Sequence, residues 1–141
     1  MLGNKKKHRK KHSVDTLITE GTVIHGNIEF VGNLYIDGVV EGNLNASDEH
    51  AILTIGPHGR VQGNIQVPHV VVYGEVSGNI EAAGDVELMD SAVISGDVQY
   101  QMLQMAMGAT VNGKLIKCDP KAIHRLEHQS TKRDKDGNDE G

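Results

Sequence analysis

A seven-residue pattern of hydrophobic and polar positions recurs along the middle of this chain. It reads small, any residue, Val or Ile, any residue, Gly, polar, and then Ile, Leu or Val, as in residues 38–44. The other copies occupy residues 22–28, 59–65, 74–80, 92–98 and 109–115. Successive copies start 16, 21, 15, 18 and 17 residues apart. A short unit repeated at such distances is typical of a solenoid, in which stacked copies bury one continuous core.

Within each copy, hydrophobic and polar residues alternate with the period of a β-strand. In residues 38–44, Val40, Gly42 and Leu44 share one side, and Glu41 and Asn43 share the other. The glycine is therefore expected to face the interior, at a bend or where another strand approaches too closely for a side chain. The opposite positions hold polar residues, which we expect to form a solvated face.

A second set of short apolar segments lies between the copies, at residues 34–36, 52–55, 70–73, 86–88 and 102–105. A unit of about 17 residues with two or three short strands cannot bury its apolar side alone, so its copies must stack. Six coils at the usual spacing between strands give a rod of about 29 Å. The sequence therefore predicts an all-β, single-stranded β-helix (β-solenoid) of about six coils.

Two other all-β architectures compete with this prediction. An up-and-down barrel or a sandwich also has short strands at similar spacing, but neither requires glycine at one fixed position. A left-handed hexapeptide helix requires strict six-residue spacing, which Gly26, Gly32 and Gly38 keep and Gly42 breaks. One module per turn with corners of variable length favours a looser, right-handed coil, although the sequence does not determine the hand.

Charge divides the chain into three parts. Residues 1–12 carry a charge of +6 and no acidic residue, whereas residues 13–116 hold thirteen acidic and two basic residues. From residue 117 onward, six basic and six acidic residues cancel. The acidic middle repels polyphosphate, so no nucleic-acid partner is expected. We expect a disordered basic arm over residues 1–13, a solenoid over 14–117 and a flexible charged tail over 118–141.

Cysteine content and hydropathy indicate a cytoplasmic protein. Cys118 is the single cysteine, so no internal disulfide can form. No apolar run reaches the length that spans a membrane, and no apolar segment of the secretory type follows the basic residues at the start.

No catalytic constellation is apparent, and we expect no metal or cofactor. Four histidines share no metal-ligand spacing: His25, His50, His58 and His69. His124 and His128 stand four apart and could face one metal on a helix, but a solvated helix in the tail is the simpler interpretation. Acyl transfer remains an alternative, because hexapeptide β-helices often place a catalytic histidine between coils. His58 is the candidate, yet its Gly-Pro and His-Gly neighbours are also typical of a turn.

The basic arm has three interpretations: binding to nucleic acid, binding to anionic lipid, or solubilisation. Its apolar start precedes six cations, and together they comprise Met1, Leu2, Lys5, Lys6, Lys7, Arg9, Lys10 and Lys11. Apolar insertion together with about 1 kcal/mol per cation near an anionic leaflet makes a weak membrane anchor. We favour lipid over nucleic acid, and a plain solvated tail stays open.

The repeated segments and the charged tails together resemble the bactofilins, a family of bacterial cytoskeletal proteins. The resemblance covers roughly residues 14–117 and is carried by the Val-x-Gly-Asn-Ile/Leu segments at 40–44, 61–65 and 76–80, by their variants at 94–98 and 111–115, and by residues 34–38. It implies a right-handed β-helix of triangular cross-section that polymerises without nucleotide into filaments. Such filaments are often membrane-associated, position cell-wall-modifying enzymes and influence cell shape. The resemblance also implies that the arm binds membrane, with Leu2 in place of the Phe of some relatives.

Polymerisation also has a physical reason, because the end coils of an uncapped solenoid expose unpaired backbone groups over an apolar cross-section. The expected interface comprises Val23, Ile24, Ile28 and Phe30 at the N-terminal end, and Met102, Leu103, Met105, Met107, Val111 and Leu115 at the C-terminal end. We therefore predict a non-enzymatic, self-polymerising scaffold at the cytoplasmic face of the inner membrane. The alternatives are a β-helical acyltransferase and a soluble interaction module that does not polymerise.

Overall fold

A computed structural model of the protein describes residues 14–118, which form eighteen strands in three parallel sheets of six. Sheet 1 contains β1 (Thr16–Ile18), β4 (Asn33–Ile36), β7 (Ile52–Ile55), β10 (His69–Val72), β13 (Asp85–Leu88) and β16 (Met102–Met105). Sheet 2 contains β2 (Val23–His25), β5 (Val39–Glu41), β8 (Arg60–Gln62), β11 (Glu75–Ser77), β14 (Val93–Ser95) and β17 (Thr110–Asn112). Sheet 3 contains β3 (Ile28–Glu29), β6 (Leu44–Asn45), β9 (Ile65–Gln66), β12 (Ile80–Glu81), β15 (Val98–Tyr100) and β18 (Leu115–Lys117). Over the same residues the structure contains no helix that could cross a membrane.

Each turn of the chain adds one strand to each sheet in the order 1, 2, 3, so β1–β3 form coil 1 and β16–β18 form coil 6. Each strand from β1 to β15 pairs in parallel with the strand three places further along the chain. The register stacks equivalent residues, such as Leu34 on Leu53 and Val40 on Val61. The predicted solenoid of about six coils is confirmed, with three strands in each coil.

The interior consists of aliphatic columns that run along the axis of the solenoid. In coil 3 the inward side chains Leu53, Ile55, Val61 and Ile65 are fully buried. Among residues 14–118 no polar or charged side chain is buried. Removal of these aliphatic side chains from water is therefore the main term that holds the coils together.

The repeated glycine lies in a corner and does not lie within a strand. The seven-residue module was expected to alternate as one strand, but β5 ends at Glu41 and β6 begins at Leu44, which leaves Gly42 between them. A Cβ atom on Gly42 would overlap the carbonyl oxygen of Gly26 in the preceding coil. The expected close approach of backbone is therefore present, but it comes from the neighbouring coil along the axis.

The polar residue after each glycine joins neighbouring coils. The side-chain oxygen of Asn43 accepts a hydrogen bond from the backbone N–H of Asn64 at 2.9 Å, and that of Asn64 accepts one from Asn79 at 3.1 Å. In the same way, the backbone N–H of Asn43 donates to Asn27 Oδ1, and the backbone N–H of Lys114 donates to Asp97 Oδ1. These residues, which we call the Asx ladder, were expected only to face solvent.

Replacement of Asn64 by alanine tests the Asx ladder. Asn64→Ala removes the acceptor for the N–H of Asn79 and should lower the free energy of unfolding by about 1 kcal/mol, because one hydrogen bond is exchanged for hydration. Urea unfolding followed by far-ultraviolet circular dichroism measures the change. Asn64→Asp keeps the acceptor, as Asp97 does in coil 5, and should lose less. Equal stability of the wild type and Asn64→Ala would contradict a stabilising ladder.

Candidate polymerisation surfaces

The N-terminal end of the solenoid is an open edge of all three sheets. Among the strands of residues 14–118, β1, β2 and β3 pair on one side only, so their other side presents backbone groups that no strand of this range binds. Ile24, Ile28 and Phe30 belong to coil 1, pack against the core and are only partly buried, since no coil of the described chain covers them. This end therefore combines hydrogen-bonding edges with an uncovered apolar cross-section.

The C-terminal end has the same construction in coil 6. Leu103 and Val111 pack against the core but stay partly buried. Met105 and Leu115 continue the inward columns above Leu88 and Val98 and are 44% and 43% exposed. Their counterparts in coil 5, Leu88 and Val98, are buried, so the exposure of Met105 and Leu115 follows from their position in the last coil of residues 14–118.

Three residues of the expected interface lie outside this uncovered cross-section. Val23 pairs with Val39 on the outer face of sheet 2, and Met102 pairs with Asp85 on the outer face of sheet 1. Met107 lies in the turn after β16 and is 93% exposed. The remaining seven residues of the expected interface are brought together at the two ends, three at the first and four at the second.

Strand β1 supplies part of the N-terminal end, and sequence reasoning did not identify it. Thr16 and Ile18 pair with the inward residues Leu34 and Ile36, so they head two of the interior columns. The sequence does contain a signal for this strand. Ile18 stands four residues before the first module, just as Ile55, at the end of β7, stands four residues before the third. Sheet 1 therefore also has its edge strand at this end, where Thr16 is exposed and Ile18 is buried.

The two ends differ in charge. Coil 1 and its corners, residues 14–31, contain Asp15, Glu20 and Glu29 and no lysine or arginine. Coil 6, residues 102–117, contains Lys114 and Lys117 and no acidic residue. Between these two coils, charge at low salt therefore favours contact between unlike ends and opposes contact between like ends.

The histidine considered for acyl transfer is a turn residue, as its neighbours predicted. The backbone N–H of His58 donates to Asp37 Oδ1 at 3.0 Å, and the ring Nδ1 lies 3.5 Å from Asp37 Oδ2. The second nearby carboxylate is that of Glu20, at 3.9 Å. Within residues 14–118, no group of three His, Cys, Asp or Glu side chains could hold a metal ion.

Several predicted features lie outside the described residues. They are the basic arm with its lipid-binding candidates from Met1 to Lys11, and the histidine pair His124 and His128. The division of the chain into arm, solenoid and tail therefore stays a prediction.

Comparison with known proteins relates most of the described residues to one family. A family model described as "Bactofilin: Polymer-forming cytoskeletal" matches residues 16–116. The chain is 31% identical over 101 residues to bactofilin BacO of Myxococcus xanthus (strain DK1622). The aligned region covers 72% of this chain and 78% of BacO. Bactofilin BacP of the same strain is also 31% identical over 101 residues, but this chain spans only 41% of its length. No solved structure matches the chain. The chain therefore belongs to the bactofilins, a family of polymer-forming cytoskeletal proteins.

Proposed function

We propose that this chain polymerises without nucleotide by end-to-end stacking of its coils and serves as a cytoskeletal scaffold, not as an enzyme. The observation that carries the proposal is the pair of uncovered ends. Ile24 and Ile28 at one end and Met105 and Leu115 at the other occupy columns that are fully buried wherever a further coil covers them. A neighbouring protomer supplies that coil.

Stacking satisfies two requirements at once. The edge strands gain backbone hydrogen bonds, and the aliphatic cross-section leaves water, as happens at each of the five junctions between the six coils. Each protomer would lengthen the rod by about 29 Å at the usual spacing between strands. The stacking contacts come from the polypeptide alone, so no nucleotide is required.

The basic arm serves as the membrane tether in this proposal. Its six cations are the attractive charges for an anionic leaflet, since the solenoid carries thirteen acidic against two basic residues over residues 13–116. The polymer would then lie at the cytoplasmic face of the inner membrane. There it would position cell-wall-modifying enzymes or other cell-shape proteins.

Negative-stain electron microscopy of the purified protein without nucleotide tests the proposal. The full-length protein and a variant that lacks residues 1–12 should both form filaments, because the stacking surfaces lie in the solenoid. In a density-gradient flotation assay, which separates vesicle-bound protein from free filaments, only the full-length protein should float with vesicles that contain anionic lipid, and neither protein should float with neutral vesicles. Discrete particles from both proteins at high concentration would overturn polymerisation. Filaments together with vesicle binding by the shortened variant would overturn only the role of the arm.

A further inference from the structure

The outer face of sheet 1 brings apolar side chains and two carboxylates together in one groove. Ile52 in coil 3 and Val71 in coil 4 lie on this face and are only partly buried. In coil 5, Glu87 pairs with Val71, and Asp85 stands two residues earlier on the same strand. These residues line the groove together with His50 and His69. The groove is therefore apolar over coils 3 and 4 and acidic at coil 5.

The two carboxylates of the groove have no basic partner on their own face. The strands of sheet 1 contain no lysine or arginine, and within residues 14–118 neither Asp85 nor Glu87 forms an ion pair. On sheet 2, by contrast, Glu75 Oε1 lies 3.2 Å from Arg60 Nε. Asp85 and Glu87 are about 7 Å apart along their strand, so a single run of lysines can contact both. The groove therefore fits a basic segment with long aliphatic side chains.

A basic segment of this chain directly precedes the same sheet. The described residues begin at Val14 and enter β1 of sheet 1 at Thr16. Coils 1 and 5 are four strand spacings apart, or about 19 Å. The lysines at positions 5–7 stand seven to nine residues before Val14. An extended chain of that length spans about 23 to 32 Å, so these lysines can reach coil 5.

The arm and the groove are complementary in charge and in apolar surface. Residues 1–12 carry a charge of +6, whereas residues 13–116 hold thirteen acidic and two basic residues. Lysine and arginine lay their aliphatic stems on apolar surface while the charged group stays in water. Ile52 and Val71 provide such a surface beside the carboxylates. Met102 is 61% exposed and pairs with Asp85, so it extends this surface into coil 6.

We propose that residues 1–12 bind the outer face of sheet 1 of their own solenoid. The lysines at positions 5–7 contact Asp85 and Glu87, and the apolar start of the arm lies against Met102. This role of the groove rests on the proposed membrane tether, because the cations that bind the groove are the same cations that bind lipid. Exposed ion pairs are individually weak, so an anionic leaflet that attracts all six cations displaces the arm. The groove therefore lowers the apparent affinity of the protein for the membrane.

Carbodiimide cross-linking of the full-length protein tests the contact. The reagent takes up the water that is lost when a lysine amine and a nearby carboxylate form an amide, and mass spectrometry identifies the joined residues. An equal mixture of unlabelled and heavy-nitrogen protein distinguishes amides within one chain from amides between chains. Lysines of the arm should couple to Asp85 and Glu87 about five-fold or more in excess of Glu29 and Glu81, within single chains. Both reference carboxylates are exposed and Glu29 lies in coil 1, so exposure or nearness to the arm alone predicts the opposite order.

Flotation with anionic vesicles tests the competition between the groove and lipid. Asp85→Asn combined with Glu87→Gln removes the carboxylates of the groove. This double variant should need about three-fold less lipid for half-maximal flotation, because more arms are free to bind the vesicle. Glu29→Gln combined with Glu81→Gln is the matched control, since it removes the same charge from the outer face of sheet 3, and it should float as the wild type does. Circular dichroism verifies that both double variants are folded.

The outcomes separate the groove from the membrane tether. Amides spread over the carboxylates according to their exposure would overturn binding of the arm to the groove, as would amides found only between differently labelled chains. An equal shift in flotation of both double variants would overturn the competition, since total charge would then be its cause. These results leave the tether intact as long as the full-length protein floats with anionic vesicles. A wild type that does not float would overturn the proposed tether itself, and the pattern of amides would still decide whether the arm binds the groove.

Discussion

Replacement of Leu115 by glutamate is expected to raise the protein concentration needed for filament formation by about 100-fold or more, while each protomer stays folded. Leu115 is 43% exposed at the free end, so glutamate there remains hydrated in the isolated protomer. Stacking would enclose its carboxylate in the inward column above Val98. A loss of about 3 kcal/mol for a charge buried without a partner corresponds to this factor.

Asn112→Glu is the matched control for Leu115→Glu. Asn112 lies in the same coil on the exposed outer face of sheet 2, so the same charge is added away from the stacking surface. High-speed sedimentation over a concentration series measures the threshold, and circular dichroism verifies that β-structure remains. The control should polymerise at the threshold of the wild type. Filaments of Leu115→Glu at that same threshold would show that coil 6 does not form the contact.

The structure separates Leu115 from Leu103, which the sequence treats alike. Leu103 is also in coil 6, but it packs against the core and is partly buried within the protomer. A polar substitution at Leu103 therefore lowers the stability of the folded protomer and also weakens the proposed stacking contact between protomers. Leu115 is the position at which assembly can be changed with the least effect on the fold.

Replacement of Gly63 by alanine is expected to lower the free energy of unfolding by about 3 kcal/mol or more, from overpacking together with backbone strain. A Cβ atom on Gly63 would overlap the carbonyl oxygen of Gly42 in the preceding coil. That oxygen belongs to backbone and cannot rotate away, so coils 3 and 4 would have to shift relative to coil 2. Gly63 also has a φ of +155°, at the edge of the region that favours glycine.

Gly26→Ala is the matched control for Gly63→Ala. Gly26 is the first residue of the same glycine column and has a φ of +132°, but nothing lies within 4 Å of its hypothetical Cβ. The control should lose only the free energy of unfolding that comes from backbone strain at a positive φ, about 1 kcal/mol. Urea unfolding of both variants in the Leu115→Glu background keeps assembly from adding to the measured stability. Equal losses would mean that close approach between coils is not the reason for the glycine.

Alternation and repetition were sufficient to predict the fold from the sequence. Side chains of a strand point alternately to opposite faces. The alternation of apolar and polar residues therefore predicts that Val40 and Leu44 face inward and that Glu41 and Asn43 face outward. Copies of such a unit cannot be stable singly, and six of them therefore predict a stack of six coils. These are properties of neighbouring residues, which a linear sequence records directly.

The two uncovered ends of the solenoid could be predicted in kind but only partly in detail. That both ends would be apolar follows from the repeat, and seven of the expected residues lie in the uncovered cross-sections. Val23, Met102 and Met107 do not, because hydrophobicity alone does not distinguish an inward column from an outer face or a turn. Strand β1 was missed, since Thr16 interrupts the apolar pattern that identifies the first strand of later coils.

The sequence by itself determined the repeat, the inward aliphatic columns and the charge contrast between arm and solenoid. Only the tertiary structure decided that the module bends at its glycine and that Asn43 accepts a hydrogen bond from the backbone N–H of Asn64. These features depend on which residues stack between coils. The physical reason is that corners of different length separate the modules by 15 to 21 residues. Register across the coils is set by the hydrogen bonds and packing of the folded stack, not by distance along the chain.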